Sequence, residues 1–166
     1  MKIDNFTDWF RNSVVVDSMG NPLTMYHGTG TRFSEFRVPA FFTSEIEVAE
    51  EYADLRAGSD RRIEKVFLSI QNPAFEAQIR SAAVIVGLND VMTFALIDPS
   101  QNNGVPRAVI AELRSQGYDG AILEDFDFSG NPFTEYVVFE QGQIKRVSDD
   151  ICNQLRSTSG IRKNKI

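Results

Sequence analysis

Apolar residues return at helical intervals near the start of the chain, where Ile3, Phe6 and Phe10, with Trp9 beside them, predict a short amphipathic helix over 3–11. Ser13–Val16 and Leu23–Tyr26 read as two short extended runs, separated by the turn formers Asp17-Ser18-Met19-Gly20-Asn21-Pro22. The second run leads into His27-Gly28-Thr29-Gly30, which places the histidine at the end of a strand. Phe41-Phe42-Thr43 predicts another brief strand, and Ser44 followed by Glu47 is a capping-box pattern. In the helix this opens, Val48, Tyr52 and Leu55 fall at i, i+4 and i+7, so Tyr52 is expected to face inward, with Gly58 as the stop. Val66–Ile70 is strand-like and closes at Asn72-Pro73.

The second half is less regular. Ile79, Ala82, Ala83 and Val86 suit a helix, whereas Val91–Ile97 fits helix or strand, and Asp98–Pro106 is rich in turn formers. Pro106 suits the first position of a helix over Arg107–Gln116, with Val109, Ile110 and Leu113 as its apolar stripe and Gly117 at its end. Ala121–Leu123 reads as a short strand, Glu124–Thr134 as a polar and aromatic loop, and Glu135–Phe139 as a strand by composition. Ile151 and Leu155 mark a last amphipathic piece. Short strands scattered among helices predict α+β architecture with an antiparallel or mixed sheet rather than a doubly wound parallel one.

Composition narrows the class. The chain has 166 residues, 42% hydrophobic and 24% charged, with 13 phenylalanines, enough for one folded domain over 1–166 and too aromatic for disorder. A flexible tail is expected at 158–166, including the basic Arg162, Lys163 and Lys165. One cysteine and one histidine leave no disulfide and no typical zinc set, so no metal is expected. No apolar run reaches membrane-spanning length, which makes a reducing cytoplasm the expected compartment. The net charge of −6 opposes general association with phosphate backbones.

Gly28-Thr29-Gly30 fails the dinucleotide fingerprint, because Phe33 stands where the third glycine belongs, and no Gly-Lys-Ser or Gly-Lys-Thr occurs. His27 is singled out by its place beside glycines at a strand end. Glu135 opens an apolar strand, so its carboxylate points into a wet cleft, meets a donor or carries a raised pKa; a solvated strand end is the plain alternative.

Taken in order, Tyr26-His27-Gly28-Thr29, Phe41-Phe42-Thr43-Ser44, Ala49-Glu50-Glu51-Tyr52-Ala53 and Glu135-Tyr136-Val137-Val138-Phe139 resemble the ADP-ribosyltransferases of the diphtheria-toxin and poly(ADP-ribose) polymerase type. The likeness is greatest to the compact ADP-ribosyltransferase-like domains of phage and mobile-element polyvalent proteins. It runs from Trp9-Phe10 and Val15–Leu23, through Leu68–Pro73 and Gly117-Tyr118-Asp119-Gly120, to about residue 147.

The resemblance implies a split antiparallel sheet with peripheral helices around an NAD cleft. Within it, Glu135, His27 and Tyr52 take the catalytic positions: Glu135 beside the nicotinamide ribose, His27 on the adenosine ribose, and Tyr52 stacked on the nicotinamide ring. Tyr26, His27, Gly28, Thr29, Phe41, Phe42, Ser44 and Tyr52 form the implied NAD-binding set, with Gly28 offering backbone groups to the carboxamide. Phe41, eleven residues before Tyr52, stands where the family usually has tyrosine, and Ala49 stands where polymerases often have serine. The segment Phe36–Ala40 is shorter than its family counterpart.

The implied activity is mono-ADP-ribosyl transfer from NAD, as co-substrate, to a macromolecular acceptor, protein ahead of nucleic acid, with release of nicotinamide. An NAD glycohydrolase and a catalytically weak NAD-binding or phage structural protein are the alternatives. A monomer without membrane partners is expected, acting in the cytoplasm, or in the host cytoplasm if phage-encoded. Asp125 and Asp127, in the segment before Glu135, would favour an arginine or lysine acceptor.

Overall fold

The computed structural model describes residues 5–55, 60–88 and 105–161. The expectations for Ile3, Gly58, Val91–Ile97, the turn-rich 98–104 and the basic tail residues lie outside these. Five helices and seven strands form among the described residues: α1 (Phe6–Phe10), β1 (Met25–Thr29), β2 (Ala40–Thr43), α2 (Ile46–Leu55), β3 (Arg62–Leu68), β4 (Pro73–Ala74), α3 (Glu76–Ile85), α4 (Val105–Ser115), β5 (Gly120–Phe126), β6 (Pro132–Val138), β7 (Ile144–Arg146) and α5 (Asp149–Ile161). This is a mixed α+β fold with peripheral helices on one seven-stranded sheet, ordered β4-β5-β6-β2-β1-β3-β7. Only β4 and β5 run parallel; the other neighbours are antiparallel.

The sheet is not evenly knit. β1 pairs with β3 through five residues, Met25 to Thr29, but with β2 through the single pair Tyr26↔Thr43. Thr43 in turn pairs with Glu135 on β6, and Glu135 with Leu123 on β5. Tyr26, Thr43, Glu135 and Leu123 therefore form one row across four strands. Cross-strand partners share a face and alternate residues point oppositely, so these four lie on one face with Gly28, Phe41, Val137 and Asp125.

On that face α3 and α4 bury Ile79, Ala82, Ala83, Val109 and Leu113 against Ala121, Leu123 and Val137, while Phe41 packs at the margin. Each of the larger fully buried side chains here, Ile79, Val109, Leu113 and Val137, contributes about 1.5–3 kcal/mol. Farther along, α1 and α5 cover Phe67 with Phe6, Phe10, Ile151 and Leu155. The opposite face carries Val15, Met25, Phe36, Phe42, Val66, Leu68 and Val138.

Several sequence expectations change. His27 lies at the centre of β1, not at its end, because pairing with Glu64 and Ile63 on β3 carries the strand through Gly28 and Thr29. Likewise the expected loop Glu124–Thr134 is mostly strand: β5 extends to Phe126 and β6 starts at Pro132, leaving only 127–131 as a turn. Asp127 closes it, accepting from Asn131 N–H at 2.7 Å and Asn131 Nδ2 at 2.9 Å, while Gly130 adopts φ 85° that side-chain-bearing residues disfavour. Glu135 consequently sits mid-strand rather than at a strand head. On α2 the buried residues are Val48, Ala49 and Ala53; Tyr52 is half-buried at the margin of that face and Leu55 is 62% exposed. At its start, Thr43 Oγ1 accepts from Glu45 N–H at 3.1 Å, in place of a bond to the expected Ser44–Glu47 box.

Candidate active site

Gly28 fixes how α2 meets the sheet. A Cβ placed on it would lie 1.9 Å from the Ala49 carbonyl oxygen and 2.7 Å from the Ala53 nitrogen, so the helix backbone rests directly on the strand. Only glycine on β1, faced by alanines on α2, permits this approach. Tyr52 belongs to the same helical turn, between Ala49 and Ala53, which brings it to the margin of the Gly28 contact. The Gly28 backbone also borders the region where the β1–β2 ladder has ended, so on its β2 side it lies outside the ladder.

His27 points to the other face. Its ring lies 5.4 Å from Phe36, 5.5 Å from Phe42 and 6.1 Å from Phe33, and Nδ1 is 2.8 Å from the Phe41 carbonyl oxygen. The imidazole thus bridges β1 to β2 at the place where their ladder stops. Arg146 steadies this cluster, donating to the Ser34 and Phe33 carbonyls at 2.7 and 3.2 Å and to Glu64 at 2.9 Å, with its guanidinium over the Phe33 and Phe36 rings.

Glu135 is 6% exposed, and its Oε2 has no hydrogen-bond partner. Burial, with a smaller push from the Asp125 carboxylate, raises its pKa to about 8. Asp125 is offset by one diagonal step: it faces Phe133, two residues from Glu135, on the same side of the sheet. The β5–β6 turn leans onto α2. The Phe128 ring meets Tyr52 edge-on at 5.6 Å, and Phe128 N–H donates to Glu51 Oε2 at 3.2 Å, although the Phe128 side chain remains 61% exposed.

The structure therefore gathers Tyr26, Gly28, Phe41 and Glu135 on one face with α2 and Tyr52. It directs His27, Thr29 and Phe42 to the other, where His27 still reaches the β1–β2 junction through Phe41. Ser44 is half-buried between β2 and α2. Thr43 was missed: buried and paired to both Tyr26 and Glu135, it links the two halves, and only knowledge of strand pairing reveals it. Of two concavities of about 470 and 400 Å³, one lies beside the His27 cluster, along Phe36, Gln141 and Arg146, and the other along Tyr118, Phe139 and Gln143; neither is lined by Gly28, Tyr52 or Glu135. Among the described residues no group of His, Cys, Asp and Glu could hold a metal ion, and no helix is long and apolar enough to cross a membrane.

A profile of the family ADP-ribosyltransferase in polyvalent proteins matches residues 17–154. The chain belongs to this family. Neither the curated proteins nor the solved structures contain a match. The matched span of this polyvalent-protein ADP-ribosyltransferase takes in every element from β1 through β7 and the first turns of α5. Membership supports ADP-ribosyltransferase activity and use of NAD.

Proposed function

We propose that the protein is a mono-ADP-ribosyltransferase of the His-Tyr-Glu type, transferring ADP-ribose from NAD to a protein acceptor and releasing nicotinamide. The observation that carries this reading is Glu135: a buried carboxylate oxygen without a partner, in a family whose chemistry calls for an acceptor beside a ribose. Leaving such a group unpaired costs about 1–3 kcal/mol, and a ribose hydroxyl would supply the missing donor.

NAD brings a glycosidic bond whose cleavage leaves positive charge on the ribose. Glu135, once ionised, opposes that charge and then accepts a proton from the incoming nucleophile. Its high pKa means that the free protein holds this carboxyl protonated near neutrality; a cation alongside favours the ionised form, so donor binding is linked to proton release. Gly28, with backbone outside the β2 ladder, suits an amide that needs one donor and one acceptor. Tyr52 supplies a flat face on the turn of α2 above Gly28, and Phe41 a second ring without a hydroxyl. His27 holds Phe41 and the β1–β2 junction in place and reaches the donor's adenosine side. Tyr26, Thr29, Phe42 and Ser44 line or brace the same strands.

Single transfer is favoured over polymerisation by the net charge of −6, which repels a growing polyanionic chain. Labelled NAD supplied with a cell lysate, read by intact-mass analysis and by nicotinamide release, tests the reading. Discrete single adducts on proteins are expected. NAD loss without adducts would instead make the protein a glycohydrolase, long polymer would overturn single transfer, and neither activity would favour the binding or structural role.

A further inference from the structure

The strand order sets Glu135 between two different surroundings. On one side stand β2, β1 and α2, with Gly28 and Tyr52; on the other stands β5, with Asp125. A donor seated against Gly28 and Tyr52 presents its reacting carbon to Glu135, and an inverting nucleophile arrives from the side away from the leaving group. Asp125 is the carboxylate on that side.

The other acidic residues of the hairpin are accounted for. Asp127 is occupied by the turn, bonded to Asn131 through both carboxylate oxygens. Glu124 is exposed and points to the opposite face of β5. Asp125 accepts only from the N–H of its neighbour Phe126, at 2.8 Å, and no cation among the described residues pairs with it or with Glu135. Asp125 and, once a cation alongside favours its ionised form, Glu135, 6% exposed with an orphaned oxygen, form a site on one face complementary to a positive group. The planar guanidinium, with five donors in a fixed fork, can address both, which a compact ammonium does less well.

Resting on the transferase reading above, we propose that Asp125 and Glu135 form an acceptor subsite for a guanidinium, so that the transferred ADP-ribose is attached to an arginine side chain. The ribose C1′–N bond to nicotinamide breaks with its electron pair leaving on nicotinamide. A new bond forms between C1′ and a guanidinium nitrogen, whose proton passes to the carboxylate pair and then to water. The arginine keeps its single positive charge, and nothing is oxidised or reduced.

Agmatine is the probe. Wild type, Asp125→Asn, Asp125→Glu and Glu124→Gln are compared for ADP-ribosyl-agmatine formation from NAD, for nicotinamide release, and for agmatine binding by calorimetric titration at pH 8. Asp125→Asn is expected to raise the agmatine KM about tenfold or more, with a smaller effect on the NAD KM. Asp125→Glu should recover most of the loss, and Glu124→Gln, with the same change in net charge on the other face, should behave as wild type. Calorimetric binding should follow the same order. An equal loss in Glu124→Gln, a rise in the NAD KM instead, or adducts on carboxylates, hydroxyls or nucleobases would overturn the subsite while leaving transfer intact. Absence of nicotinamide release with every acceptor would defeat the transferase reading itself, and the titration would then decide the guanidinium site alone.

Discussion

Replacing Glu135 with glutamine should make the protein more stable and less active at once. Between pH 4.5, the ordinary value, and about 8, the folded protein keeps a proton on Glu135 that the unfolded chain has already released. The native state then binds more protons, so stability falls as pH rises, by about 1.4 kcal/mol per pH unit. By pH 7.5 the accumulated cost is roughly 4 kcal/mol relative to pH 4.5. Glutamine carries no such cost but leaves amide atoms seeking partners, which takes back about 1–3 kcal/mol. Glu135→Gln should therefore be more stable than wild type by about 1–3 kcal/mol at pH 7.5 and less stable by about 1–3 kcal/mol at pH 4.5, with a Tm gain of roughly 2–10 °C at the higher pH. Thermal and denaturant melts across pH 4.5–8.5 measure this. In the same preparation, transfer should drop at least about 100-fold, equivalent to about 2.7 kcal/mol of lost transition-state stabilisation. Parallel stability profiles for the two proteins would refute the buried, unpartnered carboxylate, and wild-type transfer by the variant would refute its chemical role.

Tyr52→Ala should weaken nicotinamide and NAD binding by roughly 1–3 kcal/mol through the lost ring face; a stability loss with unchanged binding would make Tyr52 a packing residue. Gly28→Ala should destabilise the protein by about 3 kcal/mol or more, because its methyl would meet the Ala49 carbonyl at 1.9 Å, and an unchanged denaturation midpoint would contradict the seating of α2 on β1. His27→Phe keeps a ring among Phe33, Phe36 and Phe42 but loses the bond to the Phe41 carbonyl; a stability loss of about 1 kcal/mol with weaker NAD binding is expected, and indifference in both would remove His27 from the site.

Local periodicity revealed what depends on neighbours in sequence. Pro106, Val109, Ile110 and Leu113 gave α4 its position and its buried face, and Phe6 and Phe10 gave α1. Strand extents were harder, because a strand's length is set by its partners. His27 and Gly28 look like a strand end until β3 pairs with them, and Glu124–Thr134 looks like a loop until β5 and β6 hydrogen-bond along most of it. Glu135 was conspicuous as a charge before an apolar run, but its row with Thr43 and Tyr26 arises only from long-range pairing. The inward face of α2 is legible only in part, for a related reason: Val48 is buried as expected, but the face continues through the small residues Ala49 and Ala53, which meet Gly28, rather than through Tyr52 and Leu55.

The sheet ends in its two shortest strands, the two-residue β4 and the three-residue β7, the latter carrying Lys145 and Arg146. Open strand edges are templates for pairing with other chains, and short, cationic ones offer little to copy. The long β5 and β6 pair with each other along their whole length, but β4 covers the outer edge of β5 only at Gly120 and Ala121, and β2 covers β6 only from Glu135 to Val138. Blunt strands at both ends of the sheet limit strand exchange and aggregation with other chains there.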